Sequence, residues 1–345
     1  MNQHRSAHHK KKAVLGLLVG GAVAAGAAAV LPNSALAARD NAKDDSSRPA
    51  GTQTQAFSPF IDIADSPPLD LAATAKDSGV THFTVGHLKR ATGCAVEGGD
   101  DVLAKLDQLR QAGGDVRVSF GGDGGDLTPN CSSATQLAAA YAKIIDKYKI
   151  TKVDFDVQGY VLNMPTLNPL RSQAIARLQK SHPGLDVSIS LPALPGGFTP
   201  NGLKVLADAK AKGVKISTVN AVTGNPGDTA TDADLLKYTT TAATAAQRQL
   251  TSTLGLPEAQ AWKALAVTPR IGENDFGKRS FTLENAKALV AFANTKHLGR
   301  LSMDSINRDK QCQDGADSAD GTKPPCSGVR QKPFAFSEAL GTYRG

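Results

Sequence analysis

The stretch Lys152-Val153-Asp154-Phe155-Asp156-Val157-Gln158-Gly159 alternates apolar and polar side chains with a period of two. Successive side chains of an extended strand point to opposite faces, so Asp154, Asp156 and Gln158 share one face while Val153, Phe155 and Val157 share the other. Two carboxylates buried on one strand cost free energy unless something meets them. A polar layer satisfied by hydrogen bonds is the plain reading of such a face, and a site is the sharper one.

Outward from this segment the pattern repeats. Short β-rich runs at residues 57–63, 81–86, 116–121, 152–158, 187–191, 214–222, 264–271 and 300–306 are each followed by a helical pattern, beginning near Leu69, Val102, Ala134, Ser172, Asn201, Asp232, Leu283 and Phe334. Alternation of this kind implies a parallel sheet with right-handed crossovers. Eight such units over about 250 residues predict an α/β fold of the closed (β/α)8 TIM-barrel type, with its chemistry at the C-terminal ends of the strands. An open doubly wound sheet is the alternative. It would carry a Gly-x-Gly-x-x-Gly turn after its first strand, and none follows Ile63.

The chain has 345 residues, 41% hydrophobic and 21% charged, which excludes a disordered or collagen-like protein. Its formal charge of +7 suggests nucleic acid or anionic lipid until the charges are located. Arg5, Lys10, Lys11 and Lys12 precede an Ala/Gly-rich apolar run at 13–31 and then Ala35-Leu36-Ala37, the order of a secretory signal peptide cleaved after Ala37. Removing 1–37 takes away four of the 39 basic side chains and none of the 32 acidic ones, so the nucleic-acid reading loses its support. An uncleaved membrane anchor is the alternative for this segment, but glycine and alanine insert weakly. Residues 38–55, with Asp44-Asp45-Ser46-Ser47 and Pro49-Ala50-Gly51, read as a flexible linker, and 56–345 as the barrel domain. The expectation is an extracellular protein with no further membrane span, monomeric, with no nucleic-acid partner.

Cys94, Cys131, Cys312 and Cys326 all fall in the mature part, and an even count in an exported chain favours two disulfides. Of the three possible pairings, proximity along the chain favours Cys94 with Cys131 and Cys312 with Cys326. No Cys-x-x-Cys and no histidine pair lies beside them, so neither a metal nor a cofactor is expected. His82, His87, His182 and His297 are scattered singly and read as structural. Trp262, the single tryptophan, reads as helix-face packing.

The fourth strand resembles that of the family 18 glycoside hydrolases, the chitinase family, which carries Asp-Gly-x-Asp-x-Asp-x-Glu. Ser119-Phe120-Gly121-Gly122 is similar to that family's Ser-x-Gly-Gly on the third strand. Asn274-Asp275 and the run from Ser302 to Asp309 extend the resemblance, and Cys326-Ser327-Gly328 is similar to a loop of the secreted bacterial chitinases. The resemblance implies a substrate-assisted retaining mechanism: the motif's Glu protonates the glycosidic oxygen, the substrate's acetamido group attacks, and the preceding Asp steadies the intermediate. It also implies a cleft formed by Asp62, Ser119, Gly121, Gly122, Asn225, Pro226 and Asp304 around Asp154, Asp156 and Gln158.

Three positions depart from the family. Gln158 stands where the acid Glu belongs, and a neutral amide has no proton acidic enough to transfer. Asn225 and Pro226 replace the Asp-Tyr that holds the acetamido group, and Asp304 replaces the Trp of the sugar-binding floor. Glu273, Asp275, Asp62 and Asp304 are the other carboxylates near the strand ends and pocket floor, and nothing singles one out as a substitute acid. With Asp154, Asp156 and Asp304 in the pocket, a net negative cleft preferring a cationic saccharide is expected. The reading is an inactive chitinase-family barrel that keeps a cleft for chitin, chitosan or a related amino-sugar glycan. A residual hydrolase of chitinase or N-acetylglucosaminidase type, and an interaction protein with a vestigial cleft, are the alternatives.

Overall fold

The computed structural model describes residues 56–65, 67–122, 125–224, 234–273, 279–313 and 325–345. The expected signal peptide and linker lie outside the described residues, as do Asn225, Pro226, Asn274 and Asp275.

Eight strands run parallel and pair in chain order: β1 (Phe60–Asp62), β2 (His82–Arg90), β3 (Asp115–Gly121), β4 (Lys152–Asp156), β5 (Asp186–Leu194), β6 (Ile216–Val222), β7 (Leu265–Thr268) and β8 (Arg300–Leu301). The sheet closes on itself. Leu301 forms a parallel bridge with Phe57, its amide donates to the Ala56 carbonyl at 2.7 Å, and the Phe60 amide donates to the Met303 carbonyl at 3.0 Å. This is the predicted (β/α)8 barrel.

Each strand turns one set of alternate side chains toward the helices, and these are the β-branched and aromatic residues the pleat favours. On β3 they are Val116, Val118 and Phe120, and on β4 Val153 and Phe155, all buried. Tyr141, from the helix Ala134–Tyr148, completes an aromatic cluster with Phe120 and Phe155 at ring separations of 4.8 and 5.1 Å. Side-chain caps start several of the crossover helices. Asp70, Ser133, Thr199, Asp234 and Thr282 each accept from backbone amides of the first turn, a contribution of about 1 kcal/mol apiece. Trp262 is buried on the helix Glu258–Lys263, edge-on to Phe292.

Two strands end earlier than their sequence pattern. β4 stops at Asp156, although Gln158 remains extended at φ −143° and ψ −174° and so keeps the parity of the strand. β8 stops at Leu301, because the Asp304 amide and carbonyl bond instead to Pro269 and Ile271 beyond β7, and the chain then turns into a 3-10 helix at Ile306–Arg308. Short two-residue strands such as Val96–Glu97, against β2, and Gly197–Phe198, against β5, are too brief to leave a periodic signal.

Both disulfides form as expected, Cys94 with Cys131 and Cys312 with Cys326, and no cysteine is free among the described residues. The buried Arg171 guanidinium binds Asp126 through Nε and Nη2 at 3.1 and 2.9 Å. Replacing Cys94 and Cys131 together by serine should lower unfolding free energy by about 3–4 kcal/mol, since the bond closes a loop of 37 residues. Asp126→Ala should cost about 3–5 kcal/mol by stranding a buried guanidinium. Urea unfolding of both variants and the parent measures the two losses.

Candidate active site

A cleft of about 410 Å³ opens at the C-terminal ends of the strands. Its floor is built on Asp154, which is 2% exposed. The Asp154 carboxylate accepts from Ser119 Oγ at 2.8 Å and from Ser190 Oγ at 2.9 Å, and Ser188 Oγ also donates to it. The series continues sideways across the barrel: Asn220 Nδ2 donates to Ser190 Oγ at 3.0 Å, and Thr268 Oγ1 donates to Asn220 Oδ1 at 2.8 Å. Donors from β3, β5, β6 and β7 therefore converge, directly or in relay, on one carboxylate of β4.

Asp156 lies two residues further along the same face. Its Oδ2 is 2.8 Å from His87 Nε2 and 3.3 Å from the Gln158 amide nitrogen, while its Oδ1 is buried without a partner among the described residues. Gly121 and Gly122 stand behind this pair. A Cβ on Gly121 would meet the Asp156 carbonyl at 2.3 Å, and one on Gly122 would meet the His87 ring at 2.5 Å, and both residues have positive φ. Only glycine fits the two positions.

Asp62 and Asp304 line the cleft with Ser119, Asp154, Asp156 and Gln158. The Asp62 backbone is fixed by Asn307, whose amide group donates to its carbonyl and accepts from its N–H, both at 2.9 Å. Asp304 is paired with Arg270, Nη1 to Oδ2 at 3.0 Å. Lys89, Arg270 and Arg300 also line the cavity. Three cations and a histidine therefore face four carboxylates, which leaves the cleft less negative than the carboxylates alone suggest.

The reading of His87 as structural is corrected. Counting alternately from Thr84 puts Gly86 and Leu88 inside, but the register of β2 against β3 shifts between Val85 and Leu88. That irregularity reverses the parity, sending Leu88 into the core and His87 and Lys89 into the cleft. Asn220, Thr268, Arg270 and Arg300 were also missed. For Asn220, Thr268 and Arg300 the signal existed, as polar residues alternating with apolar ones in strands six, seven and eight. Among the described residues there is no group of three or more metal-ligating side chains and no helix long and apolar enough to cross a membrane.

The carboxylates set the protonation of the site. Burial alone would lower the His87 pKa, but the Asp156 hydrogen bond and the charges of Asp156, Asp154 and Asp62 outweigh it and raise it. Burial raises Asp156 as well, reinforced by Asp154 and Asp304 and opposed by His87. At the rim Asp65 is pushed up to about 6 by burial, with Asp62 and Asp304 adding to it. Both members of the pair are thus shifted toward holding a proton, beside the amide of Gln158.

A folded-state pKa above the free imidazole value of 6.5 stabilises the protein below that value and loses its effect as pH rises through the folded value. The stability gap between the parent and His87→Gln should accordingly be widest below the free imidazole value of 6.5 and narrow as pH rises above it. In Asp156→Asn the His87 ring should titrate at lower pH than in the parent. Denaturation at several pH values and histidine proton NMR check the two outcomes.

No family model matches the chain. A probable bifunctional chitinase/lysozyme of Escherichia coli strain K12 is 33% identical over 277 residues, covering 73% of this chain and 31% of that protein. Endochitinase 11 of Metarhizium anisopliae is 34% identical over 273 residues, covering 73% of this chain and 52% of that protein. The chain thus spans about half or less of the length of these relatives. Among solved structures, the catalytic domain of a hyperthermophilic Pyrococcus furiosus chitinase superposes with a TM-score of 0.73 at 28% identity, covering 83% of this chain and 94% of that one. Catalytic-site mutants of active domain 2 from that organism, complexed with chito-oligosaccharides, superpose at 0.72 and 28%, with 83% and 93% covered. Taken with the barrel and the two aspartates of its fourth strand, these likenesses make the chain a member of the family 18 glycoside hydrolases, the chitinase family.

Proposed function

We propose that this protein is exported, is cleaved after Ala37, and as a single chain holds a chitin-type or related amino-sugar oligosaccharide in its cleft without hydrolysing it. The observation that carries the reading is Gln158. Its amide sits at the end of β4, bonded to Asp156, where the family's mechanism requires a proton donor. General acid catalysis is worth roughly 10²- to 10⁴-fold, and an amide supplies none of it.

The floor of the cleft supports the same reading. A partly exposed ion pair, Arg270 with Asp304, occupies the place where the resemblance puts an indole, so the ring distortion that precedes cleavage meets charge there instead of an apolar plane. Saccharide binding keeps other means. Tyr160, two residues beyond Gln158, is 43% exposed, and the Arg90 guanidinium lies 5.6 Å from its ring centre, offering an amphipathic plane for a sugar face. Chito-oligosaccharide is also what the Pyrococcus furiosus mutants hold.

Residual hydrolysis is the second reading, and the His87–Asp156 dyad is the observation in its favour. An imidazole with a raised pKa, on the same carboxylate oxygen as Gln158, is a proton source close to the position of the missing acid. Binding of the purified protein to chitin, chitosan and their soluble oligomers, run beside release of a fluorophore from a chitobiose glycoside, separates the readings. Binding without turnover is expected. Turnover that disappears in His87→Gln would establish the second reading, and neither binding nor turnover would leave a vestigial cleft.

Gln158→Glu alone should not restore appreciable activity. The new acid would still face the Arg270–Asp304 pair, and misplacement of a sugar by about 1 Å can cost on the order of 10² in rate. Robust turnover by this single variant in the fluorophore assay would overturn the argument from the floor.

A further inference from the structure

A second cavity lies at the opposite, N-terminal end of the barrel, with a volume of about 510 Å³. Arg117 of β3 and Arg300 of β8 reach it from inside the barrel, and Lys263, His297 and Arg344 stand at its exposed rim. Asp186 is the one carboxylate side chain among the lining residues, and Gly345, the last residue, lines the rim beside Arg344.

The two buried arginines are not equivalent. Arg117 is 3% exposed and clasps Asp186 with both terminal nitrogens, Nη1 to Oδ1 at 3.2 Å and Nη2 to Oδ2 at 2.9 Å. Ser217 Oγ donates to the same carboxylate, and Arg117 Nη1 donates to the Val153 carbonyl at 2.9 Å. Asp186 is therefore fully engaged. Arg300 is 6% exposed, its Nε is buried without a partner, and none of its nitrogens makes a hydrogen bond or ion pair among the described residues. A guanidinium does not shed its proton to escape burial, and an uncompensated charge inside a protein is costly. One carboxylate thus serves two buried cations at this end.

We infer that this cavity is an anion site, in which Arg300 and the basic rim bind a phosphoryl group. A tetrahedral oxoanion matches the fork of a guanidinium with two parallel N–H donors. The cleft end of Arg300 is closed to such a ligand, because Asp154 and Asp156 would face it there with like charge. Burial and the nearby Arg117 push the Arg300 pKa down to about 9, in keeping with a cation short of counter-charge. The cavity opens on the opposite side of the barrel from the saccharide cleft, shares only Arg300 with its lining, and does not depend on whether that cleft is catalytic.

The test is calorimetric titration of the purified full-length protein with inorganic phosphate at constant ionic strength, with glycerol 3-phosphate in a parallel arm. Saturable binding of one phosphate per chain is expected, with Arg300→Met weakening it by at least about tenfold. Lys263→Ala combined with Arg344→Ala, both on the surface, should weaken it several-fold while leaving the barrel folded. Tighter binding of glycerol 3-phosphate would point to a phosphoryl group carried on a larger molecule, and tighter binding of inorganic phosphate to the free ion. Absence of saturable binding would overturn the inference, as would affinity unchanged in Arg300→Met, or displacement of phosphate by a chito-oligosaccharide. If Arg300→Met fails to fold, the rim variant decides: unchanged affinity there rejects the site.

Discussion

The Asp154 carboxylate, almost wholly inside the barrel, imposes the constraint around which the cleft is built. A charge in that position must be met by donors, and the chain supplies them as hydroxyls at inward positions of the neighbouring strands. Ser119, Ser188 and Ser190 contact it directly, while Asn220 and Thr268 orient Ser190 in turn. The relay crosses four strands, so the register of each against the next has to be right for the carboxylate to be satisfied. A one-residue slip would turn these hydroxyls outward and leave the charge bare. The polar interior therefore helps to select the register that the apolar outer faces also demand.

From that fixed point the cleft develops its character. Asp156 follows Asp154 by two residues and shares its face, but its partners are of a different kind: a histidine and an amide instead of hydroxyls. In this family the position after Asp156 on that face supplies an acid. Here the protonatable group beside Asp156 is His87 on β2, two strands away, whose pKa the surrounding carboxylates raise. Asp304, half-buried where the resemblance puts an indole, is matched by Arg270. His87 beside Asp156 and an ion pair at the floor give the pocket a polar lining of mixed charge.

How much of this was legible depended on periodicity. Strands with regular alternation gave up both their faces: β4 assigned Asp154, Asp156 and Gln158 to the cleft, and Gln158 stayed there even though the ladder ends before it. The closed barrel followed from counting strand-helix units. Reading failed where the period breaks. The irregularity between Val85 and Leu88 reverses the faces of β2, and nothing in Gly86-His87-Leu88 announces it. Arg270 lies past the end of β7 and reaches Asp304 through a bridge between two irregular segments, a pairing that only the folded backbone creates. Two of the cations that answer the carboxylates, Lys89 and Arg270, stand past a bulge and in a loop, where the period gives no sign of them.

The same accounting of buried charge explains why the two ends of the barrel differ. At the cleft end carboxylates arrive first, and cations, hydroxyls and a histidine are arranged to meet them. At the other end guanidiniums arrive first, and Asp186 alone answers them from within the barrel. Arg300 sits between, close enough to feel both Asp154 and Asp186 without bonding to either. Its side chain lines both cavities, so the positive end and the cleft are electrically one system although they open to solvent on opposite sides.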